Sequence, residues 1–267
     1  MESYKIPSDF IWRRLHSLAG LALSLFIIFH LFTNSQAALP LGEYGKGFVK
    51  DVNWIHDLPF LPLLEIGLIG APFLLHALWG LHYLFTGRPN SQSNPGNKPY
   101  LDYGRNKAYT WQRITAWILL VAVTAHVVHM RFLEYPEVTH EGTKTLYTVT
   151  VSDDPGLKGL QRPMGYTMEQ ESGDDVKITA DNFGTTALMV VRDTFKSPLM
   201  MGLYTILVLS ACYHGFNGLW TFMITWGVTL TERSQSLWLK VCKGLMIIVA
   251  FLGLAAIFGT YWLNLRG

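Results

Sequence analysis

Long apolar blocks separated by polar stretches dominate the chain, and five of them reach the length that a helix needs to cross a bilayer. About 20 apolar residues at a rise of about 1.5 Å each span the roughly 30 Å hydrocarbon core. The pattern predicts helices over about 10–34, 59–86, 108–133, 197–229 and 237–264. Hydrocarbon offers the backbone no hydrogen-bond partners, so each block satisfies its own peptide groups as a helix. The expected fold class is all-α, an integral membrane five-helix bundle, with 1–267 forming a single domain. The first block exceeds the about 7–15 apolar residues of a secretory signal, so it is kept as a helix.

The polar stretches are unequal. Residues from about 134 to 196 form an insertion too long for an ordinary helix connection, and it is richer in acids than in bases. Within it, Leu146 to Val151 alternates as a strand does, and Asp174 to Val191 has room for a short helix, which together predict a small ordered cap. The linker from Arg88 to Gly104 contains Pro89, Asn90, Pro95, Gly96 and Pro99 and reads as a turn-rich loop available to a soluble partner.

Composition and charge refine this picture. Charged residues make up 15% of the chain, against about 25% in soluble domains. The net charge of +2 gives no reason to expect a nucleic-acid partner. Its distribution is more informative. One set of alternate segments carries Lys5, Arg13, Arg14, Arg88, Lys98, Arg105, Lys107, Arg113, Arg233, Lys240 and Lys243, whereas the short segments of the other set carry Lys46, Lys50 and Arg266. Because Lys and Arg in short loops stay on the cytoplasmic side, the N-terminus is expected inside a bacterial cytoplasmic membrane and the C-terminus outside. The insertion then lies outside.

Nine histidines occur, and His30, His76, His126, His129 and His214 fall well inside the apolar blocks, where an unsatisfied polar group is costly. Each imidazole could simply bond a carbonyl or hydroxyl of a neighbouring helix. Their depths point elsewhere. His30 and His126 lie roughly 6–8 Å from the outer helix ends, and His76 and His214 roughly 24–26 Å down from the same side. The result is two pairs at two depths, each joining different helices, as a bundle would clamp a flat macrocycle between two imidazoles. No Cys-x-x-Cys-His motif is present, and Cys212 and Cys242 both lie in apolar blocks, so any haem is held noncovalently. The spacing of His16 and His30 resembles that of ligands in quinol:cytochrome c oxidoreductase cytochrome b, but no second helix repeats it. His129, one turn beyond His126, is the rival for the outer ligand. Gly80, Gly215 and Gly218 suit either close haem approach or plain helix packing.

The sequence resembles the dihaem, five-helix cytochrome b558 subunit of succinate dehydrogenase, related to the fumarate reductase cytochrome b. The likeness runs through Arg13-Arg14-Leu15-His16-Ser17, Phe29-His30-Leu31, His76-Ala77-Leu78-Trp79-Gly80, Gln112-Arg113-Ile114-Thr115, His126 and His214-Gly215-Phe216-Asn217-Gly218-Leu219-Trp220, and extends through Thr225-Trp226-Gly227 and Arg233-Ser234-Gln235. It implies two b-type haems, a proximal one on His76 and His214 and a distal one on His30 and His126. It also implies that His16 and Ser17 lie near the proximal propionates, with Arg13, Arg14 or Arg113 as further partners of those anionic groups, and that Trp111 and Trp220 flank haem. A flavoprotein and an iron-sulfur protein would dock on the cytoplasmic face, where the dicarboxylate chemistry resides. This chain would serve as the electron-transfer and quinone-reactive subunit of a succinate:quinone oxidoreductase, with menaquinone as substrate. Glu65 is the candidate quinone-site acid, and His129 and His56 are weaker candidates.

Two departures limit the likeness. Cys212 stands where some fumarate reductase relatives have a glutamate two residues before the fourth ligand, and the 134–196 insertion is longer than the family leads one to expect. Two other functions fit the blocks and histidines: the dihaem anchor of a formate dehydrogenase or hydrogenase, and a haem-free transporter or anchor.

Overall fold

The structure, a computed structural model, describes residues 6–86 and 104–266. The turn-rich linker expected over Arg88–Gly104 therefore lies almost wholly outside the described residues. Among the described residues, five helices are long and apolar enough to cross a membrane: α1 (Ser8–Ser35), α3 (Leu61–Thr86), α4 (Gly104–Leu133), α7 (Pro198–Thr225) and α8 (Glu232–Asn264), with a short α2 (Lys46–His56) between the first two. All five expected spans are present. The ends differ for local reasons. The helix expected to run to 229 stops at Thr225 because Gly227 takes φ 71°, and the chain turns there. Helix α8 begins before 237 because Thr231 and Ser234 cap it reciprocally, the Ser234 N–H donating to Thr231 Oγ1 at 3.2 Å and the Thr231 N–H to Ser234 Oγ at 3.1 Å.

The helices are apolar on the outside. Leu63, Ile66, Leu78, Val121, Phe132, Leu237 and Ile247 are each more than 60% exposed. Water would not tolerate that surface on a monomer, whereas lipid is its natural solvent. Three spans contain a π-helical turn, at Ile66–Gly70 in α3, His129–Leu133 in α4 and Ala255–Gly259 in α8.

The chain divides into two compact units, residues 1–28, 62–121 and 209–248 in the first and 29–61, 122–208 and 249–267 in the second. The second contains the cap predicted between 134 and 196. Strands β1 (Glu137–Glu141), β2 (Lys144–Ser152), β3 (Tyr166–Gln170) and β4 (Asp175–Ala180) form an antiparallel sheet in the order β1-β2-β4-β3, with α5 (Pro155–Met164) between β2 and β3 and α6 (Phe183–Thr194) after β4. The strand expected around Leu146–Val151 is the core of β2. The helix expected within Asp174–Val191 begins only at Phe183, because Val176, Ile178 and Ala180 are buried at every second position, which is a strand's period. Asn182 then caps α6, its Oδ1 accepting from the Thr185 N–H at 2.9 Å. Leu188 and Met189 of α6, each 1% exposed, fill the space over the sheet. Gly184 allows α6 to approach α2, since a Cβ there would lie 2.5 Å from the Val49 carbonyl oxygen. Burial pushes the Tyr166 phenol up to about 12, and its hydroxyl donates to the Leu157 carbonyl.

Candidate functional site

In the first unit, α1, α3, α4 and α7 converge on His16, His76 and His214. The His76 and His214 rings lie 6.0 Å apart between centroids at an interplanar angle of 83°. His76 is held from α1 in two ways: its Nδ1–H donates to the His16 carbonyl at 3.0 Å, and its ring stacks on that of His16 at 4.0 Å and 9°. Gly20, one turn further along α1, makes room for it, because a Cβ there would meet His76 Cε1 at 2.8 Å. His214 is held from α4. Its Nδ1–H donates to the Gln112 carbonyl at 3.2 Å, with Thr115 Oγ1 at 3.3 Å. The Gln112 side chain closes the arrangement, donating to the His214 carbonyl at 3.0 Å and accepting from Asn217 Nδ2 at 2.7 Å.

On the same helices, three buried polar atoms have no hydrogen-bond partner among the described residues: His16 Nδ1, Trp79 Nε1 and Arg113 Nε. Trp79 stacks on Trp12 at 5.3 Å, and Tyr83 stands edge-on to both His16 and Trp79. Buried donors are ordinarily satisfied. The indole and guanidinium nitrogens are donors, and each suits an acceptor supplied from outside the described residues.

In the second unit, His30 of α1 and His126 of α4 have ring centroids 6.0 Å apart at 70°. Tyr204 of α7 reaches His126, its hydroxyl 3.1 Å from Nδ1, and lies 3.4 Å from Nδ1 of His129. The other nitrogen of His129 is 3.9 Å from Glu134.

Ser17 accepts from the Trp226 indole at 3.3 Å. Arg14 donates to the Thr225 carbonyl and lies over the Phe10 and Trp226 rings, while Arg13 is exposed. Arg113 Nη2 donates to the Leu84 carbonyl at 2.8 Å. Trp111 is 55% exposed, and the Trp220 indole donates to the Gln235 carbonyl at 3.2 Å. Glu65 is half-buried at the start of the π turn of α3. His56 stacks on Phe183 at 4.4 Å beside Tyr147, within the cap contacts. Cys212 is a buried free thiol.

The chain is similar to the succinate dehydrogenase cytochrome b558 subunit of Bacillus subtilis (strain 168), 30% identical over 251 residues that cover 94% of this chain and 96% of that relative. It belongs to the succinate dehydrogenase cytochrome b558 family. No protein-family model matches the chain.

For a cytochrome b558 chain the imidazole pairs can be tested against what a haem demands. A metal–imidazole bond of about 2.0–2.1 Å plus about 1.1 Å from nitrogen to ring centroid puts two trans ligands roughly 6.2 Å apart. Both pairs are spaced at 6.0 Å. In His76, His126 and His214 the Nδ1 is already engaged, which leaves Nε2 for a metal, the usual arrangement of a ligating histidine. Among the described residues, no three His, Cys, Asp or Glu side chains gather as a bare ion would require.

Gln112 and Tyr204 are among the residues of this arrangement that sequence reasoning missed. Gln112 was visible only as part of a motif; its carbonyl and side chain both serve His214. Tyr204 gave no signal at all, because nothing in the linear order of α7 tells which of its faces meets His126.

Proposed function

We propose that this chain is the dihaem membrane anchor of a succinate dehydrogenase and conducts electrons between an iron-sulfur subunit and menaquinone. The observation that carries the reading is the pair of imidazole couples, each with 6.0 Å between centroids and with acceptors or a hydroxyl behind the ring. The bound b haems supply reversible one-electron chemistry, and the chain's part is to hold and tune them. His76 and His214 hold the proximal haem, and His30 and His126 the distal one. Held by two imidazoles each, the haems would serve electron transfer rather than oxygen chemistry.

The unmet nitrogens of His16, Trp79 and Arg113 receive the proximal propionates, charge-assisted in the case of Arg113. Ser17, whose hydroxyl keeps its own proton to donate, lies next to His16 and supports the same groups. Arg14 is committed to the end of α7, so its part is to join α1 to α7. Glu65 is the acid that exchanges protons with a quinone, since quinone reduction needs protons delivered beside the ring. Residues 1–267 act as one transmembrane cytochrome b domain, with the N-terminus and the docked flavoprotein and iron-sulfur subunits on the cytoplasmic face and the C-terminus outside, as the basic residues require.

The test is reduced-minus-oxidised spectroscopy with pyridine haemochrome stoichiometry on the purified complex, wild type against His30→Ala, His76→Ala, His126→Ala and His214→Ala. Two b haems per chain are expected, one spectral component vanishing with His30 or His126 and the other with His76 or His214. Absence of haem, or a component that follows His129 rather than His126, would reject the assignment.

A further inference from the structure

We infer that Tyr204 is a positioning residue for the distal haem site: its hydroxyl orients His126, couples that ligand to His129, and lowers the potential of the haem they flank. This rests on the assignment of His126 as an axial ligand and adds a residue that the assignment did not require.

The two units hold their imidazoles differently. His76 and His214 donate to main-chain carbonyls, which no substitution of the acceptor residue removes. His214 also has the Thr115 hydroxyl at 3.3 Å beside its carbonyl, whereas the contact behind His126 is the Tyr204 side-chain hydroxyl, 3.1 Å away. That hydroxyl is also 3.4 Å from His129 Nδ1. It has a single proton to donate, and its lone pairs can accept. An imidazole that binds metal through Nε2 carries its proton on Nδ1, so His126 donates and the Tyr204 oxygen accepts. The tyrosine proton is then directed at His129 Nδ1, which leaves the His129 proton on Nε2, the nitrogen 3.9 Å from Glu134 Oε1. One hydroxyl thus links the tautomer of His129 to that of His126. The phenol ring is itself fixed, edge-on to His126 at 5.5 Å and edge-on to Phe195 at 5.2 Å.

An acceptor behind a ligating imidazole makes it more electron-donating, which stabilises the oxidised metal and lowers the midpoint potential. A hydroxyl that is itself donating is a better acceptor, because hydrogen bonds in series polarise one another. His129 thereby strengthens the hold of Tyr204 on His126.

The experiment is a spectroelectrochemical titration of the assembled complex as wild type, Tyr204→Phe, His129→Leu and His126→Ala. Tyr204→Phe keeps both b haems by pyridine haemochrome, and the component absent from His126→Ala moves to higher potential while the other stays in place. His129→Leu moves the same component upward by less. An unchanged distal midpoint in both variants, or an equal movement of the two components, would overturn the inference while leaving the ligands standing. If Tyr204→Phe lost the distal haem, His129→Leu would decide: an upward shift supports the coupling and no shift rejects it. Retention of both components in His126→Ala would instead overturn the ligand assignment and, with it, the role of Tyr204.

Discussion

Gly20 illustrates how much a single missing side chain contributes. Its α-hydrogen faces the edge of the His76 imidazole, and any Cβ would enter the ring at 2.8 Å from Cε1 and 3.1 Å from Nδ1. An imidazole is rigid and held by the His16 carbonyl, so it cannot yield by a rotamer change at its tip. Overpacking of this kind costs about 1–3 kcal/mol and is relieved by displacement. Gly20→Ala is therefore expected to deplete one haem component, the same one removed by His76→Ala, with the other retained; haemochrome stoichiometry on the purified complex checks this. Depletion of both components, or of the other one, would show that Gly20 does not shape the His76 site. The histidines were legible from the sequence because a polar ring inside an apolar block stands out. Gly20 was not, since a glycine among Ala19, Leu21 and Ala22 looks like any small residue of a membrane helix.

At the scale of elements, the cap depends on α5 and α6 being joined through one carboxylate. Asp154 caps α5 by accepting from the Gly156 N–H at 2.8 Å and receives Arg192 of α6 at 3.0 Å, with the two residues 8% and 5% exposed. Lys196 approaches the second oxygen at 3.1 Å but is more accessible. The Arg192 carbonyl in turn accepts from Asn264 Nδ2 of α8 at 2.8 Å. Removing one partner of a buried pair leaves an uncompensated charge and costs about 3–5 kcal/mol; the retained Lys196 places Arg192→Met at about 3 kcal/mol. Lys196→Met should cost about 1 kcal/mol or less, as a partly solvated pair does. Protease-resistance midpoints of the cap in detergent would rank the two, and equal sensitivity would contradict this account. None of these pairings was readable in advance, because Asp154 and Arg192 are separated by a strand pair whose register only the folded sheet sets.

For the whole molecule, the uneven share of Lys and Arg between alternate segments predicts how the chain is threaded through the membrane. Insertion keeps Lys and Arg of short loops on the cytoplasmic side, while a long polar segment is translocated largely regardless of its charge. The cap is accordingly expected outside. Ser172, exposed in the turn between β3 and β4, gives a direct check. Ser172→Cys in intact spheroplasts should react with a membrane-impermeant thiol reagent without lysis, with little background because Cys212 and Cys242 are buried. Labelling only after lysis would invert the topology, and with it the face on which the catalytic subunits dock.

Hydrophobic block length by itself determined that this chain has five membrane helices, since lipid leaves a backbone no other way to satisfy its peptide groups. Helical rise likewise grouped His30 with His126 and His76 with His214, because depth in a membrane is proportional to residue count. Which residue stands behind each imidazole was decided only by tertiary structure. The acceptors are the carbonyls of His16 and Gln112 and the hydroxyl of Tyr204, each brought by a different helix. A helix's rotation about its own axis is set by side-chain packing against its neighbours, and no property of one helix's sequence states which face those neighbours will meet.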